Sequence, residues 1–102
     1  MGIDIALETE RGEILEQVFD PKNILEQVLP SYDDMSIYCL RFIDPYGDTV
    51  FNQLQMELLL AELRRILKTV QNEEQRALLG QIESLANRCK DGPHLYLKFY
   101  GD

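Results

Sequence analysis

Apolar positions along this chain follow two periods. Ile3, Ile5 and Leu7 alternate with Asp4, Ala6 and Glu8, the period of two expected of a half-buried strand. Glu10-Arg11-Gly12 follows, with a glycine free to take positive φ in a turn. Residues 13–19 then read as a returning strand, which makes a hairpin. The pattern there is less regular, because Ile14 and Val18 share a face with Glu16. Two short helices over 13–29 are the alternative. The pentapeptide Ile-Leu-Glu-Gln-Val occurs at 14–18 and again at 24–28. The offset is too short for a stacked repeat, so one copy reads as strand and the other as helix.

Asp20 and Pro21 predict a helix start, with Asp20 as cap and Pro21 at the first helical position. Phe19 and Ile24 are spaced for a hydrophobic staple. Ile24, Leu25 and Val28 form a short helical stripe that Pro30 ends. Residues 31–34 read as a polar loop. Residues 36–43 give the strongest strand pattern, with Tyr38, Leu40 and Phe42 on one face and Ile37, Cys39, Arg41 and Ile43 on the other. Two largely apolar faces predict a central strand. Asp44-Pro45-Tyr46-Gly47-Asp48 carries turn chemistry, and residues 49–51 extend briefly after it.

Residues 55–70 have a period near 3.6. Met56, Leu59, Leu60, Leu63, Ile66, Leu67 and Val70 make the buried stripe, and Glu57, Glu62, Arg64, Arg65 and Lys68 are placed toward water. Asn72 with Gln75 resembles a capping box. A second helix follows on Leu78, Leu79, Ile82, Leu85, Ala86 and Cys89, with Gly92 as its C-terminal cap. The short link between the two predicts an antiparallel helix pair. Leu95, Leu97 and Phe99 alternate with His94, Tyr96, Lys98 and Tyr100 in a final strand. The sum is a single α+β domain over residues 1–102, ordered β-β-α-β-α-α-β. It has a mostly antiparallel sheet of about four strands and an αα-hairpin on one face.

Length and composition agree with one domain that buries its own core. Charge adds a polarity. Residues 1–51 hold eleven acids and three bases, whereas residues 52–102 hold seven of each, so the whole net charge of −8 lies in the first half. That balance opposes nucleic acid and anionic membrane surfaces as partners, since both demand clustered Lys and Arg. It suits a basic protein, and clustering of this kind speeds encounter. The first residues lack a basic segment followed by an apolar run, and no stretch reaches membrane-span length. A cytoplasmic location is therefore expected. Cys39 and Cys89 lack metal or redox spacing and read as small reduced hydrophobes. A reactive thiol or a bridge between them is the alternative.

Four places could carry chemistry. The turn at 44–48 brings together Asp44, Tyr46 and Asp48. Its plainest reading is Asp44 satisfying local backbone N–H groups, its functional reading a partner contact. The order does not match a calcium loop. The outward row His94, Tyr96, Lys98 and Tyr100 would expose phenol rings beside charge, a composition suited to interfaces. His94 is the only histidine, so a relay or a histidine-rich metal site is not available. A pairing with Cys39 has no local signature. The acids Glu8, Glu10, Glu13, Glu16, Asp20, Asp33 and Asp34 form either a solubilising surface or a docking field.

No nucleophile elbow or phosphate loop is present, and no cofactor or metal is implied. The expected function is a non-enzymatic interaction domain. In size, charge and architecture the chain is similar to small acidic proteins that bind and mask a basic partner, such as bacterial toxin immunity proteins. The contact residues expected are Asp33, Asp34, Asp44, Tyr46, Asp48, His94, Tyr96, Lys98 and Tyr100. One alternative is a homodimer or other homo-oligomer, structural or regulatory, joined through the Tyr-bearing sheet face or unpaired sheet edges, or by Arg64, Arg65, Lys68 and Arg76 meeting the acidic half of another copy. A second is a small ligand- or metal-binding enzyme using Asp44 and Asp48.

Overall fold

The first and last strands, whose alternation is the most regular, pair at the centre of the sheet. The computed structural model describes residues 2–101. Its strands are β1 (Asp4–Thr9), β2 (Ile14–Val18), β3 (Asp48–Asn52) and β4 (Leu95–Tyr100). Its helices are α1 (Leu25–Val28), α2 (Met56–Thr69) and α3 (Glu73–Asp91). The sheet order is β2-β1-β4-β3, and every neighbouring pair is antiparallel. Ile5 lies opposite Phe99 and Leu7 opposite Leu97 in β1–β4. Phe51 of β3 lies opposite Leu97. These residues are buried, and the Phe51 and Phe99 rings meet edge to face at 5.7 Å.

α3 packs on β1, β2 and β4, and α2 packs on α3. Leu59, Leu60 and Leu63 of α2 join Leu79, Ile82, Leu85 and Ala86 of α3 in one core with the sheet. Each such side chain contributes about 1.5–3 kcal/mol by leaving water. The helix hairpin is closed by Arg76, whose Nη1 donates to the Leu67 and Val70 carbonyls at 2.6 and 2.9 Å. Those carbonyls end α2 and have no helical donor of their own. Asn72 caps α3 by accepting from the Gln75 N–H at 3.0 Å. Gly92 ends α3 in extended conformation. A Cβ there would stand 2.4 Å from the Leu95 side chain, which would have to shift to admit one.

Residues 14–18 are strand, which settles the choice over 13–29 for that copy of the pentapeptide. Gly12 takes φ +85° in the hairpin turn. A bulge at Leu7/Glu8 shifts the β1–β2 register. Asp20 does cap the next segment: its buried carboxylate accepts from the Ile24 and Leu25 N–H groups at 2.8 and 2.9 Å. Pro21 is not the first helical residue, however. Residues 21–22 form a turn, Asn23 takes φ 55°, and α1 starts only at Leu25. Asparagine tolerates that left-handed conformation, which breaks the helix register.

The largest departure concerns 36–43. It is not a strand. The segment runs as turns into a single 3-10 turn at Leu40–Phe42, and the third strand is β3, at 48–52. Ile37, Cys39, Leu40 and Ile43 are buried while Tyr38 and Phe42 are exposed. Burying Cys39 and Leu40 together breaks the alternation that a ladder requires.

Candidate functional site

A side chain of α2 fixes the conformation of 36–43. Glu62 was expected in water but is only 4% exposed. Its Oε2 accepts from the Tyr38 N–H at 2.6 Å. Its Oε1 accepts from the Cys39 and Leu40 N–H groups at 3.1 and 3.0 Å. Three consecutive amides thus converge on one carboxylate. A buried anion held by several N–H groups is stable where an unpaired one would not be. The sequence held a signal for this: Glu62 lies three residues after Leu59 and four before Ile66, beside the buried stripe.

With its backbone held this way, residues 32–46 turn large side chains outward. Tyr38 is 64% exposed and Phe42 55%, and Tyr32, Met35 and Tyr46 are more exposed still. Leu58 of α2, half exposed, is one turn before Glu62 and shares its helix face. Arg41 ties the segment together. Its Nη1 donates to the Tyr32 carbonyl at 2.8 Å, and its guanidinium lies 4.2 Å from the centre of the Phe42 ring. Its Nε is buried without a hydrogen-bond partner among the described residues.

Acids border this surface. Asp33 accepts from the Ser31 hydroxyl at 2.5 Å. Asp34 accepts from the Ser36 hydroxyl and N–H at 2.6 and 3.0 Å. The hydroxyl bond, then the N–H bond, then Arg65 hold its carboxyl below the usual range. Asp44 accepts from the Tyr46 N–H at 2.9 Å, which is its local, turn-building role. Tyr46 itself points to solvent.

Three of the remaining expected residues lie on the sheet face away from α3, and Asp48 begins β3 opposite Tyr100. Tyr96, Lys98 and Tyr100 do share that face, but they are half-buried and fold inward. The reason is Glu8, which is 2% exposed. Lys98 Nζ lies 3.1 Å from Glu8 Oε1, and the Tyr100 hydroxyl donates to Glu8 Oε2. Burial, then the Glu8 bond and charge, then the charge of Asp48 push the Tyr100 phenol up to about 12. His94 does not belong to the row. It precedes β4 with φ 62°, and its Nδ1 lies 3.4 Å from Glu10 Oε2 on the surface. The exposed His94 makes no bond to buried Cys39, whose Sγ faces the Gln55 carbonyl at 3.8 Å.

Cys39 and Cys89 are free and buried. Burial pushes both thiols up to about 11, with Glu62 adding to the effect at Cys39. Among the described residues no three His, Cys, Asp or Glu side chains gather as a metal site. No described helix is long and apolar enough to cross a membrane. Of the four bases proposed for self-association, Arg64 pairs with Glu83 at 2.9 Å and Arg76 caps α2. No family model, curated protein or solved structure matches the chain.

Proposed function

We propose that this chain is a non-enzymatic protein-interaction domain that binds and masks a basic partner. The observation that carries the reading is the exposure of Tyr32, Met35, Tyr38, Phe42 and Tyr46 on one segment whose backbone Glu62 holds in place. Large apolar side chains that a fold leaves in water in one short segment suit a contact surface. Phenol rings give large contact area at low entropic cost. Asp33, Asp34 and Asp44 lie within the segment, and the first half of the chain carries its whole excess of acid. Charge of that sign steers a cationic protein, while the rings supply the short-range contact. The comparison with toxin immunity proteins rests on size, charge and architecture. A homo-oligomer has less support, since Arg64 and Arg76 are engaged within the chain. An enzyme centred on Asp44 and Asp48 has less again, because Asp44 builds its own turn.

The test is cross-linking of captured partners followed by mass spectrometry, at low and high salt, with the wild type and with Tyr38→Ala/Phe42→Ala. The reading expects cross-links within residues 32–46 to a basic protein, capture that falls with salt, and loss in the double variant. Capture that ignores both salt and the two rings overturns it.

A further inference from the structure

The turn between α3 and β4 places a free carboxyl beside a free amide. Asp91 is the last residue of α3 and is exposed to solvent, as are Pro93 and His94 after it. Its carboxylate makes no ion pair or hydrogen bond among the described residues. The Gly92 N–H that follows has no acceptor among the described residues either. The other two helices end differently. The Leu29 N–H closes α1 onto the Leu25 carbonyl, and the Val70 N–H closes α2 onto the Ile66 carbonyl, each at 3.1 Å.

Sequence makes this junction singular. Asp91 is the one Asp or Asn in the chain that a glycine follows. Asp20 and Asp44 precede proline, which has no N–H, and the others within the chain precede residues whose side chains hinder approach to the nitrogen. We infer that the Asp91–Gly92 linkage isomerises in the folded protein. The Gly92 nitrogen gives up its proton and bonds to Asp91 Cγ, while a carboxyl oxygen leaves as water. The product is a cyclic imide, which water then opens. Breaking the bond from nitrogen to Cγ restores aspartate. Breaking the bond from nitrogen to the main-chain carbonyl carbon gives isoaspartate, with the chain running through Cγ and the α-carboxyl free. A water is lost and a water regained, so nothing is oxidised or reduced.

Ring closure needs the end of α3 to open around Asp91. Helix ends open far more readily than a domain unfolds, and no bond from Gly92 holds this one shut. Isoaspartate adds a methylene to the main chain. The insertion falls between Lys90, whose carbonyl accepts from Gln53 Nε2 at 2.7 Å, and Leu95, where β4 begins. The change therefore loosens the place where α3 passes into the sheet.

The test ages the full chain at neutral pH and physiological temperature, beside the blocked synthetic peptide Lys-Asp-Gly-Pro-His. Isoaspartate is located by proteolytic mapping with electron-transfer fragmentation. It is counted by methyl transfer from labelled S-adenosylmethionine with an isoaspartyl methyltransferase. The inference expects isoaspartate at position 91 ahead of every other aspartate, at a native rate within ~10²-fold of the peptide's. Reaction through global unfolding alone would run ~10³-fold or more below the peptide. Asp91→Glu, which would need a larger and slower-closing ring, is expected to form none at that position. Gly92→Ala is expected to slow the peptide and the chain at least ~10-fold, with circular dichroism confirming that the variant folds. Asp91→Glu, at an exposed position, keeps the test decisive if it does not. A native rate more than ~10²-fold below the peptide's overturns the inference. So does equal accumulation at another aspartate, or a methylation signal that survives Asp91→Glu.

Discussion

The Glu62 carboxylate and the Tyr38 amide are 2.6 Å apart although 24 residues separate them in the chain. That contact and its two companions at Cys39 and Leu40 take the place of a β ladder in this part of the molecule. Removing the side chain leaves three N–H groups without their acceptor. Glu62→Ala is expected to cost about 3 kcal/mol, and Glu62→Gln, which keeps one acceptor oxygen, about 1–2 kcal/mol. Urea unfolding measures the loss, and faster hydrogen exchange at 38–40 locates it.

The rings that this contact holds outward contribute little to folding. Tyr38→Ala is expected to change stability by no more than about 0.5 kcal/mol, the range of exposed positions away from special contacts, and Phe42→Ala by about 0.5–1 kcal/mol, through loss of the Arg41 contact. A loss of several kcal/mol in thermal or urea unfolding would mean that these side chains belong to the core.

On the open sheet face, Lys98→Met leaves the Glu8 carboxylate buried without its cation. The expected cost is about 3 kcal/mol, whereas the double change Glu8→Leu/Lys98→Met costs less than Lys98→Met alone. A double-mutant cycle reads the coupling. Additive effects would show that the two charges do not interact.

Tyr100 supplies a pH dependence at the alkaline end. Its phenol is pushed up to about 12 from a usual value near 10. Between those values the unfolded chain has lost the proton and the folded chain keeps it. Stability from this group is therefore complete below about pH 10 and falls as pH rises toward 12. Tyr100→Phe removes that component of the slope. Unfolding free energies measured across this range, with tyrosinate absorbance followed in parallel, check the sign.

Both thiols are expected to resist alkylation while the protein is folded. With values of about 11, their thiolate fraction at pH 7 is on the order of 10⁻⁴. In Glu62→Gln, labelling of Cys39 accelerates relative to Cys89, because only Cys39 feels that charge. Burial, the larger cause at both sites, keeps each reaction slow until the chain unfolds.

Regular periods were readable from the residues, and irregular burial was not. β1, β4, α2 and α3 each repeat one apolar spacing, and each forms where that spacing predicts. Over 36–43 nearly every residue is apolar, so alternation fits any assignment. The deciding fact is a carboxylate on α2, over twenty residues away. Glu8 was hidden for a related reason. Its burial depends on a register that sets Lys98 and Tyr100 beside it from the other end of the chain. The expected contact residues accordingly divide: Asp33, Asp34, Asp44 and Tyr46 belong to the exposed segment, and Lys98 and Tyr100 to a cluster satisfied by Glu8, with Tyr96 on the same face.

The segment from Pro30 to Gly47 adds no strand to the sheet, and Glu62 anchors its middle from outside. Its outward side chains can therefore be rewritten without disturbing a rung between strands, whereas Ile37, Leu40 and Ile43 belong to the core and the Gly47 carbonyl accepts from the Gly101 N–H beside the β3–β4 pair. The outward side chains of this segment and the architecture beneath them are separately editable. A library randomised at positions 32, 35, 38, 42 and 46 should yield folded members with new preferences far more often than one randomised within α3.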